Sequence, residues 1–215
     1  MQSHCPLCES TTTNFFFKDK RRSYRRCSNC LLVFVEDEFI LSSSEEKAIY
    51  DLHENDVNDQ GYRKFLSRLV DPLMDFIHSG SKGLDFGCGP GPALADMLQG
   101  KGYKMSLYDL YYFPDEKPLN TKYDFITCTE VVEHIKDSRN LFEKFDSLLN
   151  EKGILGIMTK LVIDQEAFTN WHYKNDQTHI RFFSKETFKW IANQWSMNAH
   201  YFAKDVIILE KYLRL

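Results

Sequence analysis

Three groups of residues in this chain have the types and spacing to do chemistry. The first is Leu84-Asp85-Phe86-Gly87-Cys88-Gly89-Pro90-Gly91, an apolar strand end running into a glycine loop. Eighteen residues later a second strand ends on Asp109. Glycines at 87, 89 and 91 allow a tight strand-to-helix turn and close approach of a ligand. An acid at the end of the next strand stands where α/β folds set a carboxylate against ribose hydroxyls. Together they imply a pocket for an adenosine cofactor. The glycines alternate, unlike the G-x-G-x-x-G of a pyrophosphate loop. Asp85 beside the loop would repel a pyrophosphate and attract the ammonium of an amino-acid tail. A glycine turn with no ligand is the alternative.

The second group is Cys5-Pro6-Leu7-Cys8 and Cys27-Ser28-Asn29-Cys30, two C-x2-C knuckles separated by eighteen residues. Such knuckles put four thiolates at the corners of a tetrahedron, as structural Zn²⁺ requires. The apolar material near them, Phe15 to Phe17 and Leu31 to Val35, is too little to fold unaided, so a metal would supply the stability. Free or redox-active thiols are the alternative. Cys88 and Cys128, the other two of six cysteines, read as small core residues.

The third group is Glu130-Val131-Val132-Glu133-His134, with a later segment holding Trp171, His172, Tyr173, Asp176, His179 and Phe182. A helical turn beginning near Glu130 would put Glu130, Glu133 and His134 on one face, at i, i+3 and i+4. His134 and His179 are candidate general bases, since imidazole titrates near neutrality. Trp171, Tyr173, Asp176 and Phe182 read as an acceptor-binding wall. The bland alternatives are hydrogen-bonded pocket histidines, exposed acids and core aromatics.

These groups need a scaffold. Strands are expected at Lys82–Gly87, Lys104–Leu110, Tyr123–Cys128 and Gly153–Thr159, with helices at Ala93–Gly100 and about Arg139–Leu149. Ser184 caps a helix to about Gln194. Two last strands, His200–Ala203 and Val206–Glu210, are joined so closely that they must be antiparallel. The alternation predicts an α/β fold with a doubly wound, mostly parallel sheet and a reversed terminal strand. Upstream, Ser42 to Glu46 starts a helix, and Asp51 to Gly61 reads as a loop over the cofactor site. A longer helix from about Tyr62 to His78 contains Pro72, which predicts a kink or break. Tyr62 and Arg63 are lid candidates by position. The expected organisation is a zinc-ribbon-like module at 1–41, a helical linker or lid at 42–80, and a catalytic domain at 81–215.

The pattern from Asp85 to Gly91, with Asp109 on the next strand, resembles the class I S-adenosylmethionine-dependent methyltransferases over roughly Lys82 to the C-terminus. The resemblance implies a Rossmann-like methyltransferase fold that binds S-adenosylmethionine through Asp85, Gly87, Cys88, Gly89, Pro90, Gly91, Asp109, Leu110, Thr129 and Glu130. One departure matters. No room exists between Asp109 and Tyr123 for the helix-strand-helix of a full member. Tyr111, Tyr112, Phe113 and Pro114 fill the gap and are candidates to stack over adenine. E-x-x-E-H plus a later histidine resembles the metal site of the small-RNA 3′-terminal 2′-O-methyltransferases and a segment of the polyprenyl-quinone-precursor O-methyltransferases. It implies Mg²⁺ held by Glu130, Glu133, His134 and His179.

Composition bounds the rest. The chain has 215 residues, enough for one full core and a small satellite. A net charge of −4 gives no global attraction to nucleic acid or anionic membrane. No apolar run approaches a membrane span and no signal-peptide apolar segment opens the chain, so a cytoplasmic protein is expected. The leading expectation is O-methylation of a small-molecule acceptor, as in sugar and natural-product enzymes of similar architecture. An RNA methyltransferase is the alternative, since some ribosomal guanine methyltransferases pair a zinc module with this fold. Its RNA footprint would be Lys18, Lys20, Arg21, Arg22, Arg25 and Arg26, which otherwise read as a solvated hairpin tip. A non-catalytic S-adenosylmethionine-binding protein is the third class.

Overall fold

The computed structural model describes residues 4–52 and 56–212. The N-terminal ribbon has three short antiparallel strands, β1 (Thr13–Lys18), β2 (Ser23–Cys27) and β3 (Val33–Val35). Ser42 then accepts from the Glu45 backbone N–H while the Glu45 side chain accepts from Ser42, a full capping box that starts α1 (Ser43–Tyr50). Within the expected loop from Asp51 to Gly61, residues 53–55 lie outside the described residues.

Asp59 caps α2 (Gln60–Leu73), whose Leu66, Leu69, Val70 and Leu73 form one buried face. This helix is shorter than the run to His78 that apolar spacing suggested. Pro72 lacks the N–H that would continue the ladder, and the chain leaves the helix one residue later. The catalytic body then runs β4 (Lys82–Phe86), α3 (Ala93–Gly100), β5 (Lys104–Tyr108), β6 (Tyr123–Thr129), α4 (Ser138–Leu148) and β7 (Leu149–Met158). It continues through α5 (Gln165–Thr169), β8 (Arg181–Phe182), α6 (Lys185–Gln194), β9 (Met197–Phe202) and β10 (Val206–Lys211).

Six strands make the main sheet in the order β5-β4-β6-β7-β10-β9. The first four pair in parallel, and β10 pairs antiparallel with both β7 and β9. This is the expected doubly wound, mostly parallel architecture, with the chain's last strand, β10, reversed. Strand alternation sorts the core. Phe125, Ile154, Met158, Val206 and Ile208 face α2 and α3, while Ile126, Leu155, Ile157, Ile207 and Leu209 face α4 and α6. The sheet ends at β5, as the short segment before Tyr123 requires.

The ribbon is built into this body. β8 pairs with β3, Val33 opposite Phe182 and Phe34 opposite Arg181, to complete a second, four-stranded sheet. Phe168 fills the seam, with its ring 5.2 Å from Phe16, 5.2 Å from Tyr24 and 5.3 Å from Phe182. On the other side Cys5, Leu7, Leu32 and Phe34 share a core with Phe142 and Phe183. No helix among the described residues is long and apolar enough to cross a membrane.

With the ribbon and the crossover sharing the seam that Phe168 fills, Phe168→Ala should cost about 3–5 kcal/mol. Urea unfolding followed by tryptophan fluorescence and far-UV dichroism should give one coincident transition at lower midpoint. Separate transitions for the two probes would contradict a shared core.

Candidate active site

The carboxyl ends of β4, β5 and β6 open into a cavity of about 750 Å³, the place where an open α/β sheet binds ligands. Its floor is the glycine loop. Gly87 has φ +74°, and a Cβ there would lie 2.4 Å from Val131; Gly89 also has positive φ. The Gly87 N–H donates to the Tyr108 carbonyl at 2.8 Å, and the Gly89 N–H donates to Asp109 Oδ2 at 3.0 Å. Asp109 Oδ1 accepts from the N–H groups of Tyr111 and Tyr112 at 2.9 and 3.1 Å. One carboxylate thus ties the glycine loop to the end of β5.

Of the residues expected to hold the cofactor, Gly87, Cys88, Gly89, Pro90, Asp109, Leu110, Thr129 and Glu130 line the cavity. Asp85 and Gly91 do not. Asp85 is buried below the loop, where Oδ1 accepts from Thr127 Oγ1 at 2.8 Å. Burial pushes its carboxyl up to about 6. Its carboxylate is engaged by the Thr127 hydroxyl and stands behind the cavity lining, not in it.

Tyr111 and Tyr112 reach the cavity, where their hydroxyls donate to Glu46 Oε2 and Asp51 Oδ1, both at 2.9 Å. Those bonds draw α1 across the space left by the absent segment, and Ser43, Glu46 and Tyr50 join the lining. None of the three was expected at the site. Their signal, phenols and carboxylates some 65 residues apart in sequence, exists only in the fold. From α2, Tyr62 lines the cavity. Arg63 instead donates to Asp96 Oδ2 at 2.7 Å and to the Val57 carbonyl at 3.0 Å.

The opposite wall carries the histidines. No helical turn begins at Glu130, which corrects the expected one-faced arrangement. Glu130 has φ +52°, and its N–H extends the β6–β7 ladder to the Met158 carbonyl at 2.8 Å. The residues after it form a tight turn closed by the His134 N–H on the Val131 carbonyl at 2.9 Å. Glu133 points into the interior, fully buried, and receives the Tyr173 hydroxyl; Glu130 Oε2 lies 3.4 Å from the same hydroxyl. Burial raises both carboxyls above their usual range, and the charge of Glu130 adds to the rise at Glu133. Burial also raises the Tyr173 phenol.

His134 and His179 meet edge to face, with ring centroids 4.7 Å apart, and both line the cavity with Asp176. His134 Nδ1 lies 3.1 Å from the Thr178 carbonyl, and His179 Nδ1 lies 2.7 Å from the Tyr173 carbonyl. A carbonyl only accepts, so each Nδ1 carries a proton, and in a neutral ring the lone pair falls on Nε2. Burial lowers the pKa of His179.

Trp171, Tyr173 and Phe182 do not line the cavity. Their rings belong to the ribbon seam, with Trp171 and Phe182 6.0 Å apart beside Phe168. The expected wall keeps only Asp176. Nor is the expected Mg²⁺ tetrad assembled. Glu133, His134 and His179 bring ligand atoms within 4.8 Å, but Glu130 is not part of that cluster. Two imidazoles and a phenol-bonded carboxyl do not match Mg²⁺, which takes oxygen ligands in near-ideal octahedra.

The cysteines do converge. Cys5 and Cys30 sulfurs lie 3.4 Å apart, as do those of Cys8 and Cys27, and all four fall within 4.8 Å of one another. Tetrahedral zinc with Zn–S bonds near 2.3 Å separates its sulfurs by about 3.8 Å. The donor set and spacing fit Zn²⁺.

The family model described as "Methyltransferase domain" matches residues 59–195, a span that includes the glycine loop, Asp109 and both histidines. The chain belongs to this methyltransferase family. It is an S-adenosylmethionine-dependent methyltransferase. No curated protein matches the sequence. Among solved structures, a SAM-dependent methyltransferase from Archaeoglobus fulgidus is 17% identical, with a TM-score of 0.54 over 69% of this chain and 94% of its own. One from Methanosarcina mazei is 12% identical, TM-score 0.49, covering 66% and 98%. An O-methyltransferase family protein from Burkholderia thailandensis is 13% identical, TM-score 0.47, covering 70% and 58%. The Archaeoglobus likeness bears out the fold of the methyltransferase.

Gly87→Ala would force both the left-handed backbone and the 2.4 Å contact with Val131. The expected result is at least a tenfold weaker Kd for S-adenosylmethionine by calorimetry, about 1.4 kcal/mol. Adding Val131→Ala should recover part of it by relieving the clash. Metal analysis of the purified methyltransferase should give one zinc per chain, lost on Cys27→Ser together with the cooperative melt.

Proposed function

We propose that this methyltransferase transfers the methyl group of S-adenosylmethionine to an oxygen atom of a small-molecule acceptor. The observation that carries the proposal is the pair of imidazoles whose Nδ1 protons are pinned to backbone carbonyls, in the same cavity as the glycine loop. When bound, the donor supplies a sulfonium methyl open to in-line displacement. Gly87 to Pro90 and Asp109 would hold its amino-acid and ribose ends, with Leu110 and Thr129 on the flanks. Tyr111 and Tyr112 would face the adenine in place of the absent segment.

The protein then has two tasks at the acceptor, alignment and proton removal. His179 Nε2 is the base, and its ring is neutral at pH 7 because burial disfavours the imidazolium. Asp176 Oδ2 stands 3.7 Å from that nitrogen, beyond hydrogen-bond reach of the free base but close enough to stabilise the imidazolium once the proton arrives. His134, against the His179 ring, would orient the acceptor hydroxyl. Glu130 borders the cavity below them.

The cavity volume lies within the roughly 300–1,000 Å³ of small-molecule sites, which favours a compact acceptor over a polymer. The fold withdraws part of the ribbon's basic cluster. Arg22 is buried, and Arg25 is committed to Thr13 and Glu36; Lys18, Lys20 and Arg21 remain exposed.

Incubation with methyl-radiolabelled S-adenosylmethionine and a metabolite extract should label a small molecule; label confined to RNA would refute the proposal. His179→Ala should reduce transfer by about 10²–10⁴-fold with donor affinity unchanged. Since neutral His179 is the active form and its pKa is depressed, transfer should hold through neutral pH and fall only below about pH 6.5.

A further inference from the structure

Arg22 sits in the ribbon hairpin, yet it is only 4% exposed, and its guanidinium passes the Tyr24 ring to reach the later crossover segment. Nη1 donates to the carbonyls of Gln177 at 3.0 Å and His179 at 2.9 Å. Nη2 donates to the carbonyls of Asp176 at 2.9 Å and Lys174. All four acceptors lie in the segment that delivers Asp176 and His179 to the cavity. A guanidinium is a rigid planar fork with five N–H groups, so four bonds to four carbonyls fix where that segment sits and how it is turned.

The arginine is itself held. Asp19 Oδ1 accepts from the backbone N–H groups of Arg21 and Arg22 at 2.8 and 2.9 Å, and Asp19 Oδ2 accepts from the Tyr24 hydroxyl at 2.8 Å. Tyr24 is buried in the aromatic seam, and β2 ends on Cys27 of the cysteine cluster. A continuous chain of contacts therefore leads from the cysteine cluster, through β2 and Arg22, to the histidine-bearing segment. Without the guanidinium, carbonyls buried there would lose their donors, at a cost that favours rearrangement.

We propose that Arg22 is a positioning residue for methyl transfer, and that the ribbon serves as the template against which the acceptor wall is shaped. The inference rests on His179 and Asp176 acting at the acceptor, as proposed above. It gives the ribbon a role in the reaction with no nucleic acid attached to it.

The test uses the full chain as Arg22→Met, Arg22→Lys and Arg22→Ala. Zinc content and the Kd for S-adenosylmethionine should stay within about twofold of the parent, because neither site touches the guanidinium. Amide exchange at Thr178, His179 and Ile180 should accelerate at least tenfold while amides of β4 and β6 stay protected. With the acceptor fraction found by radiolabelling, kcat should fall about 10- to 100-fold in Arg22→Met, as misplacement by an ångström does, with KM for the donor unchanged. Arg22→Lys should be intermediate, and millimolar guanidinium should restore part of the rate of Arg22→Ala.

Parental exchange at residues 178–180 in Arg22→Met would overturn the proposal whatever the acceptor proves to be. So would parallel loss of zinc, donor binding and rate, which is the signature of a merely structural residue. Parental kcat in a variant with loosened exchange would also overturn it. Normal transfer by His179→Ala is a different result: it removes the role of His179, while the exchange data still decide whether Arg22 holds the segment.

Discussion

The architecture depends on one return of the chain. After β7, the residues leading to α6 pass back over the N-terminal ribbon, and two of them, Arg181 and Phe182, pair with β3. Strand pairing satisfies backbone groups that would otherwise be buried unmet, and it brings the aromatic rings of the ribbon and of the crossover into one seam. The Ile180 and Arg181 N–H groups both donate to the Glu133 carbonyl at 2.9 Å. The same short stretch is thus tied to the ribbon on one side and to the end of β6 on the other. The proposed acceptor wall lies where the two sheets are stitched together.

This stitching explains the division of chemistry in the cavity. The proposed donor side is made by the glycine-loop backbone and one strand-end carboxylate, Asp109, arranged by the parallel sheet. The proposed acceptor side is made by side chains on irregular segments, His134, Asp176 and His179, each hydrogen-bonded to a neighbouring main chain. Beneath them Glu130, Glu133 and Tyr173 form a buried acidic cluster whose charges burial suppresses. Glu130 and Glu133 each keep a buried oxygen with no partner. Removing Tyr173 would leave two carboxyls facing each other without their shared donor.

Much of this was readable in the sequence wherever a local pattern decides the structure. The glycine loop, the Asp109 strand end, the cysteine knuckles and the antiparallel final strands each follow from spacing within a few residues. The failures share a different cause. Glu130 takes a left-handed conformation because its N–H is claimed by Met158, a partner almost thirty residues away, so local helical spacing misled. Trp171, Tyr173 and Phe182 are aromatic residues in a polar segment, a pattern that fits a binding wall as well as a core. Only the ribbon, folding against them, makes them core. Arg22 is indistinguishable in sequence from its exposed neighbour Arg21; its four acceptors lie some 150 residues away.

The short passage between β5 and β6 has a thermodynamic consequence. Where a longer chain would wall the cavity with another strand of the sheet, this one relies on α1, an eight-residue helix with no buried residue of its own. Isolated helices of that length are marginal in water. α1 is held by its capping box and by the bonds from Tyr111 and Tyr112 to Glu46 and Asp51. Its folding and the filling of the cavity therefore belong to one equilibrium. A ligand that touches Ser43, Glu46 or Tyr50 stabilises the helix by mass action, and its apparent affinity is reduced by the fraction of time the helix spends undocked.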